Sequence, residues 1–302
     1  MTRKTTPKKV LTKEPSVAIV GAGSLAASLA VALHRAGFKI SEIVARHSPP
    51  SLRKARALAA LVGARAVTAD SAALDATLLW FSVPDREIRR AASALADRLA
   101  APTAANKKNK TLFAFHSSGA LPGRELGPLH KAGLAVASVH PLMTFVAGSR
   151  PSLQGVPFAI EGDNAATRVA RHIVRQLGGA SFPLPAKRKA AYHAWATMTS
   201  PLLLAFLVTL EEAASAAGIP RDDARRKSLP IIHQTLANYS SLGPARSFSG
   251  PLVRGDAETV AKHLATLKKH PRARGVYLAL AHSALRNLPV KNREKLNSLL
   301  RD

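Results

Sequence analysis

Two strings in the sequence combine a histidine with hydroxyl side chains, and each follows a short apolar run. They are His116-Ser117-Ser118-Gly119 and His140-Pro141-Leu142-Met143-Thr144-Phe145. Histidine can donate or accept a proton near neutral pH, and a serine hydroxyl can hold a reacting oxygen or nitrogen. A single histidine is more often structural, but two at neighbouring strand ends can flank one cleft. The pattern leaves both interpretations open and makes His140 and Ser118 candidate catalytic residues.

A third candidate, Lys189, precedes Tyr192 and His193 on a predicted helix. Lys189 and His193 are four residues apart and share a face of that helix. Partial burial and nearby positive charge would lower the pKa of the lysine and suit it to proton exchange. The alternative is that Lys189 faces water beside its basic neighbours. The chemical prediction is one cleft between two domains that brings together Lys189, His193, His140 and Ser118.

A glycine-rich string, Gly21-Ala-Gly23-Ser-Leu-Ala26, follows the apolar run Val17–Val20 and opens a helical pattern. In this context the first glycine permits a tight turn, and the second lets a pyrophosphate approach the backbone. The helix N-terminus offers free N–H groups and a positive dipole end to phosphates. The alternative is a plain glycine turn between a strand and a helix. The predicted pyrophosphate ligands are Gly21, Gly23, Ser24 and Leu25.

The end of the next predicted strand, Ile40–Ala45, indicates which dinucleotide binds. An acid at this place holds the ribose of NAD, whereas arginine accommodates the 2′-phosphate of NADP. Glu42 lies at the start of the strand, and Arg46 and Ser48 follow its end. We therefore expect NADP(H), with Arg46 and Ser48 contacting the 2′-phosphate.

Other strand ends are predicted to complete the cofactor site. Val83 ends the predicted strand Leu78–Val83, and Pro84 follows it and makes the turn there rigid. With His116, they are the expected contacts to the nicotinamide end. Asp85 is expected to cap the helix that follows.

The order of the predicted elements indicates an α/β fold. Strands alternate with helices up to about residue 184, which favours a doubly wound parallel Rossmann sheet. After Pro185 only helical patterns follow. The predicted organisation is a disordered basic tail over 1–15, an NADP-binding domain over 16–185 and a helical substrate and dimerisation domain over 186–302.

Composition excludes several classes of function. The chain has 302 residues and no cysteine, so it has no disulfide framework, thiolate metal site or cysteine nucleophile. No metal site is predicted. We find no apolar run of membrane-spanning length and no signal core, and we expect a cytoplasmic protein. The formal net charge is +26, but it is spread along the chain, which favours a solvated basic surface over nucleic-acid binding.

Taken together, these strings resemble bacterial Rossmann-like proteins whose C-terminal half is a domain of unknown function. Those proteins are distant relatives of pyrroline-5-carboxylate reductase and of the 6-phosphogluconate and 3-hydroxyacid dehydrogenases. The resemblance runs from about Val17 to Leu280 and includes Gly250-Pro251 and Arg254-Gly255-Asp256. It implies a helical C-terminal domain of the 6-phosphogluconate dehydrogenase type that forms a homodimer. It also implies that Lys189 stands where the dehydrogenases carry their helix lysine.

The resemblance suggests hydride transfer between NADP(H) and a small carbonyl, imine or alcohol. Arg254 and Thr144 are the expected substrate-binding residues. One departure is Thr199-Ser200-Pro201, where the family pattern has an asparagine and Pro201 should kink the helix. That departure leaves open an inactive NADP(H)-binding sensor. A nucleic-acid-associated protein is a weaker alternative, supported only by charge.

Overall fold

The computed structural model describes residues 15–100 and 112–301. The predicted tail and the predicted polar loop Asn106–Lys110 lie outside these ranges, apart from Pro15. The chain divides into two compact units, of which the first ends at Ala196 and the second begins at Thr197.

The first unit is built on one eight-stranded sheet. The strands are β1 (Val17–Val20), β2 (Ile40–Ala45), β3 (Arg65–Thr68), β4 (Leu78–Phe81), β5 (Phe113–His116), β6 (Ala135–Pro141), β7 (Pro157–Gly162) and β8 (Ala180–Pro183). Their order across the sheet is β3-β2-β1-β4-β5-β6-β7-β8. The pairs from β3 to β6 are all parallel, in the 3-2-1-4-5-6 order of a dinucleotide-binding sheet. The predicted fold class is confirmed.

Helices cover both faces of this sheet. They are α1 (Ser24–Arg35), α2 (Pro49–Val62), α3 (Asp85–Ala100), α4 (Gly127–Lys131), α5 (Asn164–Gln176) and the start of α6 (Lys189–Thr199). Alternate residues of each strand enter different cores: Val17 and Ile19 pack with α1 and α2, while Ala18 and Val20 pack with α3. Two covered faces explain why the central strands are apolar without interruption.

The last two strands run against the rest of the sheet. β7 pairs antiparallel with β6, and β8 pairs parallel with β7. The sequence pattern predicts this β-α-β unit, but it predicts that β7 and β8 run parallel to the other strands. That predicted direction is wrong. The reversal places Gly162 opposite Ala137 at a φ of +136°, where a Cβ atom would meet the carbonyl oxygen of Val136. Only glycine fits this crossing.

The second unit is helical. It contains the end of α6 and the helices α7 (Pro201–Ser215), α8 (Arg221–Leu242), α9 (Pro244–Ser247), α10 (Pro251–Arg254), α11 (Ala257–Leu267), α12 (Pro271–Asn287) and α13 (Arg293–Leu299). Its apolar core joins α11, α12 and α13, with Val260 and Leu296 fully buried. The helix that carries Lys189 is interrupted at Ser200, where the sequence predicts a kink, because Pro201 cannot donate a backbone hydrogen bond and begins a new helix.

One segment, Ala186–Ser215, is long and apolar enough to cross a membrane by length and composition alone, with a mean hydropathy of 1.4 over its best 18 residues. The expectation that no run reaches this length is therefore wrong. The segment is interrupted at Ser200, where φ is −126° and ψ is −72°.

Replacement of Gly162 by alanine should destabilise the first unit by about 2–5 kcal/mol, since it adds a steric clash to a strained φ. Gly133→Ala is the matched control, because Gly133 also has a positive φ, of +93°, but its Cβ position is open. Gly133→Ala should lower the free energy of unfolding by only about 1–2 kcal/mol. Urea unfolding followed by tryptophan fluorescence measures both changes, as Trp80 and Trp195 lie in this unit. Equal urea-unfolding midpoints for the two variants would show that the close approach of β6 and β7 at Gly162 does not affect stability.

Candidate active site

The turn between β1 and α1 has the geometry of a phosphate-binding turn. Gly21 adopts a φ of +116°, and a Cβ atom there would lie 2.5 Å from the carbonyl oxygen of Ser82. Gly23 is the N-cap of α1, and no atom lies within 4 Å of its Cβ position. In the described residues no side chain caps this helix, so its first N–H groups, which include those of Ser24 and Leu25, remain available for a ligand.

A second observation supports a ligand at this edge. The hydroxyl of Ser82, directly after β4, is buried and has no hydrogen-bond partner within the described residues. A buried polar atom without a partner is costly, and a bound group could satisfy it. The residues around Gly21, Gly23 and Ser82 therefore fit the pyrophosphate portion of a dinucleotide.

The end of β2 carries the predicted basic pair. Arg46 is exposed just after the strand, and Ser48 is the N-cap of α2 with a free side chain at this cap. Glu42 is fully buried earlier in the strand, where it accepts hydrogen bonds from Arg65 at 2.8 Å and from the backbone N–H of Ala73 at 3.1 Å. The acid is thus occupied away from the strand end, and Arg46 is the charged side chain at that end.

The ends of β4 and β5 are tied together. Val83 and Pro84 lie in the turn after β4, and Asp85, the first residue of α3, accepts a hydrogen bond from the Ser118 hydroxyl at 2.9 Å. The same hydroxyl accepts the backbone N–H groups of Ala120 and Leu121. Its capacity is filled inside the protein, so Ser118 shapes this loop, in contrast to its predicted role of holding a reacting atom.

His116 also supports the loop. It is fully buried, its Nδ1 accepts the N–H of Ser118 at 3.1 Å, and its Nε2 lies 3.0 Å from the carbonyl of Pro122. Burial lowers the pKa of His116 to about 4, so the ring is neutral at pH 7. Because both nitrogens have partners, this geometry does not support the predicted contact between His116 and the cofactor.

Lys189 is the charged centre of the site. Its side chain is 1 % exposed, and Nζ donates to the carbonyl of Ser118 at 3.0 Å and to the hydroxyl of Ser138 at 2.5 Å. The interpretation in which Lys189 faces water is thereby excluded. Burial lowers its pKa to about 8, against the opposing effect of the Glu161 and Asp85 carboxylates. The expected direction of the shift and the expected effect of burial are correct, but the charged neighbours are acids and oppose the shift, where positive neighbours were expected.

His140, on β6, lies further along the strand direction than the last residue of β5. In the register of the sheet His116 lies opposite Ser138, so His140 stands two residues further along β6. Its Nδ1 is 2.7 Å from the hydroxyl of Tyr192, and the two rings meet edge to face. Burial lowers the pKa of His140 to about 4, and the positive charge of Lys189 acts in the same direction.

Gly119 lies between two imidazoles. A Cβ atom there would be 2.8 Å from His140 Nε2 and 2.8 Å from His193 Cδ2. The rings of His140 and His193 have centroids 6.4 Å apart. The four residues predicted to converge do so within the first unit: Lys189, His193, His140 and Ser118.

The two predicted substrate-binding residues are exposed. Thr144 lies in the loop after β6, and Arg254 ends α10 in the helical unit. Their roles stay predictions.

Sequence reasoning missed two members of the site. Ser138, within β6, accepts from Lys189 and donates to the Ser118 carbonyl at 3.1 Å. Glu161, on β7, accepts the N–H of Gly123 at 2.5 Å. A serine inside the apolar strand Ala135–Pro141 is the signal that could have revealed Ser138. Glu161 could be placed only after the antiparallel register was known, since it pairs with Ser138.

Solved structures share this fold. A protein from Bacteroides fragilis described as a candidate NADP oxidoreductase is 23% identical, with a TM-score of 0.70, 89% of this chain covered and 97% of that one. An imine reductase from Myxococcus stipitatus in complex with NADP+ is 14% identical, with a TM-score of 0.64 and coverage of 95% and 100%. A pyrroline-5-carboxylate reductase from Coxiella burnetii is 14% identical, with a TM-score of 0.56 and coverage of 95% and 99%. At these identities the similarity concerns the fold.

Family models match the chain in two places. A Rossmann-like domain matches residues 1–141, and DUF2520, a domain of unknown function, matches residues 156–284. No curated protein sequence matches the chain. The chain therefore combines a Rossmann-like domain with a C-terminal DUF2520 domain, which confirms the resemblance found in its sequence.

Proposed function

We propose that this protein is an NADP(H)-dependent oxidoreductase that acts on a small carbonyl, imine or alcohol. The observation that carries the proposal is the buried Lys189 ammonium, which lies with His140 at the carboxyl ends of β5 and β6. In open α/β sheets ligands bind outside these strand ends. The fold neighbours include an imine reductase solved with NADP+, which supports the same class of cofactor and reaction.

The chain's own residues bind the cofactor and transfer the proton. The free N–H groups at the start of α1 hold the pyrophosphate, and Arg46 with Ser48 receives the 2′-phosphate. When bound, NADPH supplies the hydride. Lys189 has a third N–H that no described residue uses, and its pKa of about 8 keeps it mainly protonated at pH 7. It is suited to give a proton during reduction and to recover it in the reverse direction.

We also propose a homodimer formed through the helical unit. α7 packs against α8 and α12, but α7 and α8 each bury a single side chain, Glu211 and Ala224. Many of their large apolar residues are exposed, including Leu204, Val208, Ile231 and Leu236. An apolar surface of this extent is typical of a subunit interface.

An inactive NADP(H)-binding sensor is the second candidate. The break at Ser200, directly before Pro201, favours it, because the helix that carries Lys189 ends where the family pattern places a further polar residue. A sensor would bind NADPH and show no turnover in any substrate screen.

NADPH should bind more tightly than NADH, and Arg46→Ala should weaken NADPH binding by about 10- to 150-fold, since a charged hydrogen bond contributes about 1.5–3 kcal/mol. NADH affinity should not change. Calorimetry on the wild type, on Arg46→Ala and on Arg53→Ala, which alters an exposed residue of α2, makes the comparison. Equal wild-type affinities for both cofactors would reject the assignment of Arg46.

Lys189→Met should leave NADPH affinity intact and lower turnover by at least about 100-fold, the contribution of a positioned proton carrier. The fold tolerates the change, because methionine removes a buried charge and the Ser118 carbonyl keeps its bond to Ser138. Lys187→Met, at an exposed neighbouring position, is the control and should retain activity. Activity is measured on a panel of small ketones, aldehydes and imines with NADPH.

The wild-type reduction rate should fall as pH rises through about 8, because Lys189 loses its proton there.

In the substitution experiment, full activity of Lys189→Met would show that the lysine takes no part in the mechanism.

Ile231→Glu should convert the dimer into a monomer, because it places a charge on a side chain that is 69% exposed on α8. Leu61→Glu makes the same change at a half-exposed position on α2 and should leave the dimer intact. Light scattering at micromolar concentration measures both. A monomeric wild-type protein would contradict the proposal.

A further inference from the structure

A hydrogen bond joins the hydroxyl of Tyr192 to His140, and its direction depends on which ring nitrogen of His140 carries hydrogen. Tyr192 is buried against Ala159 and Leu184, and its hydroxyl lies 2.7 Å from His140 Nδ1. Burial raises the pKa of Tyr192 to about 12, so the phenol keeps its proton at neutral pH. A protonated phenol can donate to Nδ1, whereas a protonated Nδ1 would have to donate to the phenol oxygen.

Burial keeps the His140 ring neutral, and the Lys189 ammonium, which approaches from α6, also disfavours a second proton on the imidazole. A neutral imidazole carries one N–H only. If the phenol occupies Nδ1 as donor, this N–H must be at Nε2.

Nε2 is on the side of the ring that faces the loop after β5. The Cβ position of Gly119 lies 2.8 Å from Nε2, so only a residue without a side chain leaves this nitrogen accessible. None of the described residues forms a hydrogen bond with Nε2. His140 as a whole is half-buried.

We propose that Tyr192 is a positioning residue that holds His140 in the tautomer with hydrogen on Nε2, so that His140 presents an N–H donor to the substrate. The inference rests on the proposed function and narrows it. An N–H donor at this position fits a carbonyl oxygen or an unprotonated imine nitrogen, which each offer a lone pair. It does not fit a protonated iminium, which has no lone pair to accept the bond. His140 therefore polarises the reacting group, and the electron pair that hydride addition moves onto the oxygen or nitrogen takes its proton from Lys189.

Nitrogen NMR of the ligand-free protein tests the tautomer directly. Protein labelled with ¹⁵N-histidine, with His140→Gln for assignment, should show His140 with a pyrrole-like Nε2 and a pyridine-like Nδ1 between pH 6 and 8, a range chosen because the ring titrates at about 4. In Tyr192→Phe this preference should be lost, and the signals should move toward an average of the two tautomers.

The chain provides its own control. Tyr277 makes the same type of contact with His263 in the helical unit, with its hydroxyl 3.1 Å from Nδ1 and the rings edge to face. Tyr277→Phe should leave the His140 signals unchanged.

A wild-type His140 with hydrogen on Nδ1 would overturn the proposal, as would a Tyr192→Phe variant with an unchanged tautomer ratio. Neither measurement needs NADPH or turnover. A protein that fails to bind NADPH but shows the Nε2 tautomer would therefore reject the proposed function and leave the positioning role of Tyr192 standing.

Discussion

The buried ammonium of Lys189 is the interaction on which the geometry of the site depends. A lysine that is almost fully enclosed must find acceptors, because an isolated charge in an apolar interior is very costly. Lys189 finds them in the Ser118 carbonyl and the Ser138 hydroxyl. Since these acceptors belong to the loop after β5 and to β6, the ammonium fixes the start of α6 against both. The orientation of Tyr192 and His193, further along α6, follows from that anchor.

The acceptors are themselves held in place. Ser118 is bound to Asp85 on α3 and to two backbone N–H groups of its own loop, and His116 supports the same loop from within the core. Glu161 reaches the site because β7 runs against β6 and brings its carboxylate beside Ser138. The two carboxylates oppose the loss of the lysine proton, while burial promotes it, and the balance leaves the pKa near the working pH of an acid–base group.

Local patterns were enough to predict the strands, the glycine turn and the convergence of Lys189 with His140, because each depends on residues close in sequence or on the general rule for strand ends. The direction of β7 was not predictable in this way, since an apolar run has no direction until its partner is known. For the same reason Ser138 and Glu161 were missed. The roles expected for Ser118 and His116 were drawn from residue type and from position at a strand end, and neither reveals that the loop itself already uses their polar atoms.

The buried carboxylate of Glu42 limits how cofactor preference could be redesigned. It is the acid nearest in sequence to the end of β2, but Arg65 and the Ala73 N–H hold both of its oxygens inside the sheet. To free it would break its ion pair with Arg65 and leave the backbone N–H of Ala73 without its acceptor. Given the proposed preference for NADP(H), an NAD-selective version of this protein would therefore need a new acid at Arg46 or Ser48, while Glu42 is preserved as part of the scaffold.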